Sequence, residues 1–262
     1  MKIYNAFGIK PTNTYASAGT DYYVPNIDDF NFKQCSAALL AFQKSYKVTG
    51  DDIELIRLSF EKHIDPNETN QITNLIHLFL ALGNKELDRR KKIDLSGAVD
   101  YFFENYVIID GISGQAGIAL QLNDTLFINS GIKVALDTVI SEMEETDTDH
   151  PNIAGAKILR DLGIGVAGLY VNKSGKGNAG FDVRACLVDE DYAGYVHLSM
   201  AYTKELFKEG PNFVYAGDKL TQMMLIPVFH TQYEEINENE YNKVMSSSKR
   251  GDAGFGSSDI KH

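Results

Sequence analysis

Thr125-Leu126-Phe127-Ile128-Asn129-Ser130-Gly131-Ile132-Lys133-Val134-Ala135-Leu136 holds two short apolar runs separated by Asn, Ser and Gly. β-Branched and aromatic residues suit a pleated surface, and Asn and Gly accept the backbone of a tight reversal, so the stretch reads as two strands and a turn. The pattern recurs outward at Val196-His197-Leu198-Ser199-Met200 and Gln222-Met223-Met224-Leu225-Ile226, and again near the N-terminus. It covers residues 1–27 and about 116–230. Strands at this spacing predict a closed sandwich or barrel.

Between these parts, over residues 28–115, the period becomes helical. Thr49 with Asp52 three residues on fits a capping box, and Ile53, Ile56 and Phe60 follow on one face. Ile72, Leu75, Ile76, Phe79 and Leu82 form a second stripe, with Gly83 at the expected C′ position. Val99, Phe102, Phe103 and Tyr106 form a third after a cap at Asp94 or Ser96. Lys85 to Lys92 reads as a charged connection with a solvated face. The segment predicts a helical unit inserted into a β domain. Residues 137–162, acidic at first, read as a loop or short helix. Residues 231–249 are polar and read as a flexible linker.

The chain has 262 residues, enough for one large domain or one domain with an insertion, and a net charge of -11. That charge argues against a nucleic-acid polymer as partner, because such binding is driven by Lys and Arg replacing counterions. Cys35 and Cys186 are far apart and show no metal-ligand spacing. They predict two reduced, buried thiols in a cytoplasmic protein. No apolar run has the length of a signal peptide core or a membrane span, so neither secretion nor membrane insertion is expected.

Arg250-Gly251-Asp252-Ala253-Gly254-Phe255-Gly256-Ser257-Ser258 closes the sequence with the chemistry of a nucleotide clamp. Glycine brings backbone N–H groups close to phosphate, arginine offers a bidentate fork, and phenylalanine offers a flat face to a base. The preceding linker predicts a mobile arm over residues 250–262.

Four other segments belong with the arm: Ser17-Ala18-Gly19-Thr20-Asp21, Lys173-Ser174-Gly175, Val188-Asp189-Glu190-Asp191-Tyr192-Ala193-Gly194 and Gly217-Asp218-Lys219-Leu220-Thr221-Gln222. In order, the five resemble the motifs of the homotrimeric dUTPase (dUTP pyrophosphatase) family. The resemblance covers residues 1–27 and about 116–258, and Leu126 to Leu136 resembles the strand pair that this family places after its first motif. It implies a mainly β, jelly-roll (β-clip) fold with an inserted helical subdomain, a homotrimer with sites shared between subunits, and a C-terminal arm closing over each site. The implied reaction is dUTP to dUMP and pyrophosphate, with Mg²⁺ as cofactor, which limits uracil incorporation into DNA and supplies dUMP.

By the same resemblance, Asp189 is the carboxylate that deprotonates the attacking water. Lys173, Ser174 and Gly175 face the phosphate chain, where the family has arginine after proline; lysine keeps the charge and loses the fork. Phe181-Asp182-Val183 leading into Leu187-Val188 resembles a uracil-reading hairpin, with Asp182, Val183 and Val188 at the base and Tyr192 under the deoxyribose. Gln222 contacts the α-phosphate region, and Asp218 with Lys219 forms a structural pair. Asp21 approaches the metal through water. Arg250, Gly256, Ser257 and Ser258 hold the outer phosphates while Phe255 covers the base. Two alternatives share the fold: a dCTP deaminase or a dUTP/dCTP pyrophosphatase. A third is a regulatory protein that binds a partner through the helical insertion.

Overall fold

The computed structural model describes residues 1–13, 18–27, 46, 48–65, 67–140, 158–159, 161–204, 212–230 and 233–247. Two units are distinguished, Met1–Val228 and Phe229–His262.

The first unit is mainly β. Its strands are β1 (Lys2–Asn5), β2 (Thr20–Tyr23), β3 (Leu82–Gly83), β4 (Val107–Ile109), β5 (Ala116–Ala119), β6 (Thr125–Asn129) and β7 (Ile132–Ala135). They continue with β8 (Ile164–Asn172), β9 (Phe181–Val183), β10 (Leu187–Val188), β11 (His197–Tyr202), β12 (Phe213–Tyr215) and β13 (Lys219–Phe229). Four sheets result, ordered β1-β7, β10-β8-β13-β2, β3-β6-β11-β9 and β12-β5-β4. The described registers are antiparallel.

Thr125 to Leu136 does form two strands, but they do not pair with each other. Gly131 turns the chain at φ +73°, where an added Cβ would strike the Gly8 backbone at 2.5 Å, and β7 leaves to join β1 while β6 stays with β11. One short turn therefore feeds two sheets. β8 is buried along most of its length, as a strand covered on both faces must be.

The helices are α1 (Gly50–Glu61), α2 (Thr69–Ala81), α3 (Lys85–Ile93), α4 (Leu95–Asn105) and α5 (Ser174–Asn178). The capping box at Thr49 and Asp52 and the cap at Asp94 are present. Phe60, Phe79 and Phe102 meet in edge-to-face and tilted pairs at 5.3–5.9 Å, an arrangement worth about 0.5–1.5 kcal/mol per pair beyond area burial. These rings share one hydrophobic core with Leu126, Ile128 and Leu198 of the sheets.

Three features of this segment differ from expectation. Gly83 does not close α2 in a left-handed turn. It lies in β3 opposite Thr125, where an added Cβ would meet Thr125 Oγ1 at 2.4 Å, so the glycine serves close strand approach. The charged stretch Lys85 to Lys92 is helical, and it anchors Leu87 and Lys91 in the interior. Lys91 Nζ donates to the Leu82 carbonyl at 2.8 Å and sits over the Phe79 ring; burial pulls its pKa down to about 8, against the opposing effect of Asp88. Val107–Ile109, within the segment read as helical, is a strand paired with β5.

In the second unit, the stretch expected to be a flexible linker contains α6 (Glu238–Val244), capped reciprocally by Asn237 and Glu240. Its residues are exposed, and polar composition alone concealed its capping box. The arm residues Arg250, Phe255, Gly256, Ser257 and Ser258 lie outside the described residues. So do Ser17, Cys35 and most of 137–162. Cys186 is exposed rather than buried, because it lies in the loop between β9 and β10.

Candidate functional site

Asp21 is 6% exposed and sits on edge strand β2. Its backbone is bound on both sides, to Thr12 (N to O 2.8 Å) and in register with Gln222 of β13. Three donors from two other segments converge on its carboxylate. Lys173 Nζ lies 2.9 and 3.2 Å from the two oxygens, Lys219 Nζ 3.1 Å from Oδ2, and Gln222 Nε2 donates to Oδ1 at 3.1 Å. Burial alone would raise the Asp21 pKa, but the bonds from Lys173, Lys219 and Gln222 outweigh it and hold the carboxyl below its usual range. Lys173 and Gln222 stand 152 and 201 positions from Asp21, so three of the sequence motifs meet here. One carboxylate with two ammonium groups leaves a net positive, donor-rich patch suited to phosphate oxygens.

Lys219 is the residue that sequence reading misplaced. It does not pair with Asp218, which binds Lys176 at 2.8 Å instead. The reason is a bulge. Lys219 lies opposite Tyr23 and Thr221 opposite Tyr22, so one extra β13 residue is inserted between them. Residues three apart on a regular strand face opposite sides; the bulge returns Lys219 to the side of Gln222.

Lys173 precedes α5 with an extended backbone, and its side chain caps nothing in that helix because it is directed to Asp21. Ser174 and Gly175 follow, both exposed. Neither a positive φ nor a neighbour requires glycine at 175, since an added Cβ would meet nothing within 4 Å. Its bare backbone faces open space, as a phosphate-approach position would.

Asp182 and Val183 reach the same end of β8, through Asn172. Asn172 Oδ1 accepts from Val183 N–H at 2.9 Å and its Nδ2 donates to Asp182 at 3.2 Å, while Thr203 Oγ1 binds the other Asp182 oxygen at 3.2 Å. The expected hairpin is absent: β9 pairs with β11 and β10 with β8, so the two strands belong to different sheets. A cavity of about 530 Å³ lies between the end of β8 and β9 with its following loop, lined by residues including Tyr170, Asn172, Asp182, Val183 and Arg184, with Cys186 at its wall.

Val188, Asp189 and Tyr192 lie elsewhere. Val188 pairs with Gly168, which puts Asp189 beside Ala167, and Glu190 reaches the Val166 amide. Lys173 is six residues further along β8, roughly 20 Å at about 3.3 Å per residue. Asp21, in contact with Lys173 at that far end, is also displaced from Asp189 by three strand spacings across the sheet, roughly 14 Å at about 4.8 Å per spacing. Asp189 is exposed. Tyr192 Oη donates to the Tyr195 carbonyl at 2.8 Å, and an added Cβ at Gly194 would lie 2.4 Å from Tyr192 Oη, so the ring is folded over the glycine. Tyr192 lines a second cavity of about 380 Å³ with Lys2, Tyr4, Lys133, Asp137 and Glu190.

These features define an antiparallel β protein that gathers a positive, phosphate-suited cluster at one end of a central strand and leaves a carboxylate exposed at the other. Residues 136–259, a little under half of the chain, match the model of the dUTPase family. Two curated relatives, the deoxyuridine 5'-triphosphate nucleotidohydrolases of Legionella pneumophila strains Paris and Philadelphia 1, are 37% and 36% identical over 73 residues. The match takes in 28% of this chain and 41% of each relative, so the chain spans about two fifths of the length of the relatives it matches. Among solved structures, the Staphylococcus bacteriophage 80alpha dUTPase with dUPNHPP aligns with 59% of this chain and 91% of its own, at 14% identity and a TM-score of 0.35. The native EIAV dUTPase aligns with 51% and 92%, at 15% identity and a TM-score of 0.29.

Proposed function

We propose that this chain hydrolyses dUTP to dUMP and pyrophosphate by direct attack of water on the α-phosphorus. The observation that carries the reading is the convergence of Asp21, Lys173 and Gln222 on one cluster. Lys173, the Ser174 hydroxyl, the Gly175 amide and Gln222 receive the triphosphate and stabilise the charge that moves onto the leaving pyrophosphate. Asp189 takes the proton of the attacking water. Tyr192, Asp182, Val183 and Val188 bound the sugar and base, with the Val183 N–H already engaged by Asn172.

Separation of Asp189 from the cluster within one chain supports a shared site. Asp189 of one subunit would face Lys173, Ser174 and Gln222 of another, as a homotrimer allows, with Arg250, Phe255, Gly256, Ser257 and Ser258 closing over the nucleotide.

Among the described residues no three His, Cys, Asp or Glu side chains converge, and Asp21 already accepts from two ammonium groups and an amide. This donor set does not make a metal cage. It does fit a magnesium ion that keeps its waters, takes direct oxygens from substrate phosphates and touches Asp21 through water. When bound, Mg²⁺ supplies Lewis-acid stabilisation of phosphate charge. Among the described residues no helix is long and apolar enough to cross a membrane.

The test is pyrophosphate and ammonia release from dUTP, dCTP, dTTP and UTP, with and without Mg²⁺. Pyrophosphate from dUTP above the others supports the reading. Ammonia from dCTP, or no hydrolysis of any of the four, overturns it.

A further inference from the structure

We infer that Asn172 is the positioning residue that sets the phosphate-facing turn against the base-facing strand. The inference rests on the function proposed above and assigns that site a coupling element. Asn172 ends β8 and directly precedes Lys173, so its backbone aims the turn that carries Lys173, Ser174 and Gly175. Its side chain faces β9, where Oδ1 accepts from Val183 N–H at 2.9 Å and Nδ2 donates to Asp182 Oδ1 at 3.2 Å. The amide orientation follows from its partners, since a main-chain N–H only donates and an ionised carboxylate only accepts.

Helix α5 closes the third side. An added Cβ at Gly177 would lie 3.2 Å from Asn172 Cβ, and Gly177 N–H donates to the Lys173 carbonyl at 2.8 Å, so the turn packs tightly onto the asparagine. One side chain thus ties β9, which lines the 530 Å³ cavity, to the turn that places Lys173 on Asp21. Proline, the residue that the family resemblance leads one to expect here, could make neither bond. Thr203 holds Asp182 from the far side, so the carboxylate is fixed between two donors and Asn172 supplies the one that leads to the phosphate turn.

Two substitutions separate positioning from simple stability. Asn172→Ala removes both bonds and is expected to raise KM for dUTP about tenfold with kcat changed less than about threefold, the scale of one or two lost hydrogen bonds. Asn172→Asp keeps the acceptor for Val183 and sets two carboxyl groups against each other at the Asp182 contact. Relative to wild type at each pH, its KM defect is expected to shrink as the pH falls and the pair comes to share one proton. The defect of Asn172→Ala is expected to stay constant.

A wild-type KM for Asn172→Ala, or a pH-independent ratio for Asn172→Asp, overturns the inference. Amide exchange at Val183 is read in parallel and needs no substrate: about tenfold faster exchange in Asn172→Ala supports the clamp, and unchanged exchange overturns it. If the wild-type chain hydrolyses no nucleotide, the proposed function fails while the exchange measurement still decides the clamp.

Discussion

At its Asn172 end, β8 delivers Lys173 into a set of four charged or amide side chains that satisfy one another. At the opposite end, beside Ala167, Asp189 stands exposed, with no side-chain hydrogen bond described. One end is assembled by the fold before any ligand arrives. The other offers a carboxyl group for which the described residues supply no orienting hydrogen bond. A hydrolytic site needs both kinds of group within a few ångström of one phosphorus, and one copy separates them by roughly 20 Å along β8. The difference teaches that only one of the two regions is prebuilt, and on the proposed function the two are halves of one site, a pairing that mutation and subunit mixing can break.

The largest effect is expected from Asp189→Asn. Loss of the proposed general base should lower kcat about 10²- to 10⁴-fold. Because the Asp189 side chain is exposed, the melting temperature and the affinity for a non-hydrolysable dUTP analogue should stay at wild-type values. Single-turnover kinetics and calorimetry read the two sides separately. Turnover near wild type would remove Asp189 from its assigned role.

Mixing comes next. Asp189→Asn chains and Lys173→Ala chains, each nearly inactive alone, should regain activity when refolded together at equal ratio. If a site draws Asp189 from one subunit and Lys173 from another, about a quarter of such pairings combine two unaltered residues. Mixed oligomers without recovered activity would place both half-sites in one chain and break the comparison.

Asp21→Asn probes the prebuilt end. The Asp21 carboxyl is held below its usual range, so its contribution to stability is full above the unfolded value of about 3.9 and is lost as the pH falls through the folded one. At pH 7 the variant should be less stable by about 1–3 kcal/mol, the range for hydrogen bonds to a charged group. Its deficit should begin to shrink as the pH falls below about 3.9 and keep shrinking towards the folded value. Urea midpoints across pH 2–8 measure this, and a deficit unchanged from pH 7 down to pH 2 would mean that ion pairing is not what Asp21 contributes.

How much of this could be read beforehand differs between the two parts of the first unit. The helices were legible because apolar spacing is local: Ile53, Ile56 and Phe60, or Val99 and Phe102, announce one buried face. Lys91 was not, because burial of a lysine depends on a carbonyl and rings supplied by other elements. Strands β6 and β7 were legible as strands, but which sheet each joins depends on the positive φ of Gly131. At the site, Asp21, Lys173 and Gln222 were each marked by a motif, whereas their meeting is a long-range fact of strand order. Asn172 bore no signal beyond the departure from proline.

Lys219 shows the limit most sharply, and it gives the smallest predicted effect. Its presence in the cluster depends on one bulge residue, which no period reveals. Lys219 and Lys173 contact the same carboxylate, yet they differ in placement: Lys219 is 43% exposed and stacks over Tyr23, whereas Lys173 is 30% exposed and adjoins Ser174. If Lys173 leaves Asp21 to meet the triphosphate, Lys219 is the cation that keeps Asp21 ionised behind it. Lys173→Met should then raise KM for dUTP about tenfold or more, as loss of a charge-assisted contact to phosphate does. Lys219→Met should raise it only about twofold to fivefold, since an exposed ion pair is weak in water. Added salt should shrink the Lys219 effect further, because screening acts most strongly on the more exposed pair. Equal KM increases for the two variants would mean that both lysines meet the phosphate, and a larger effect from Lys219→Met would exchange their roles.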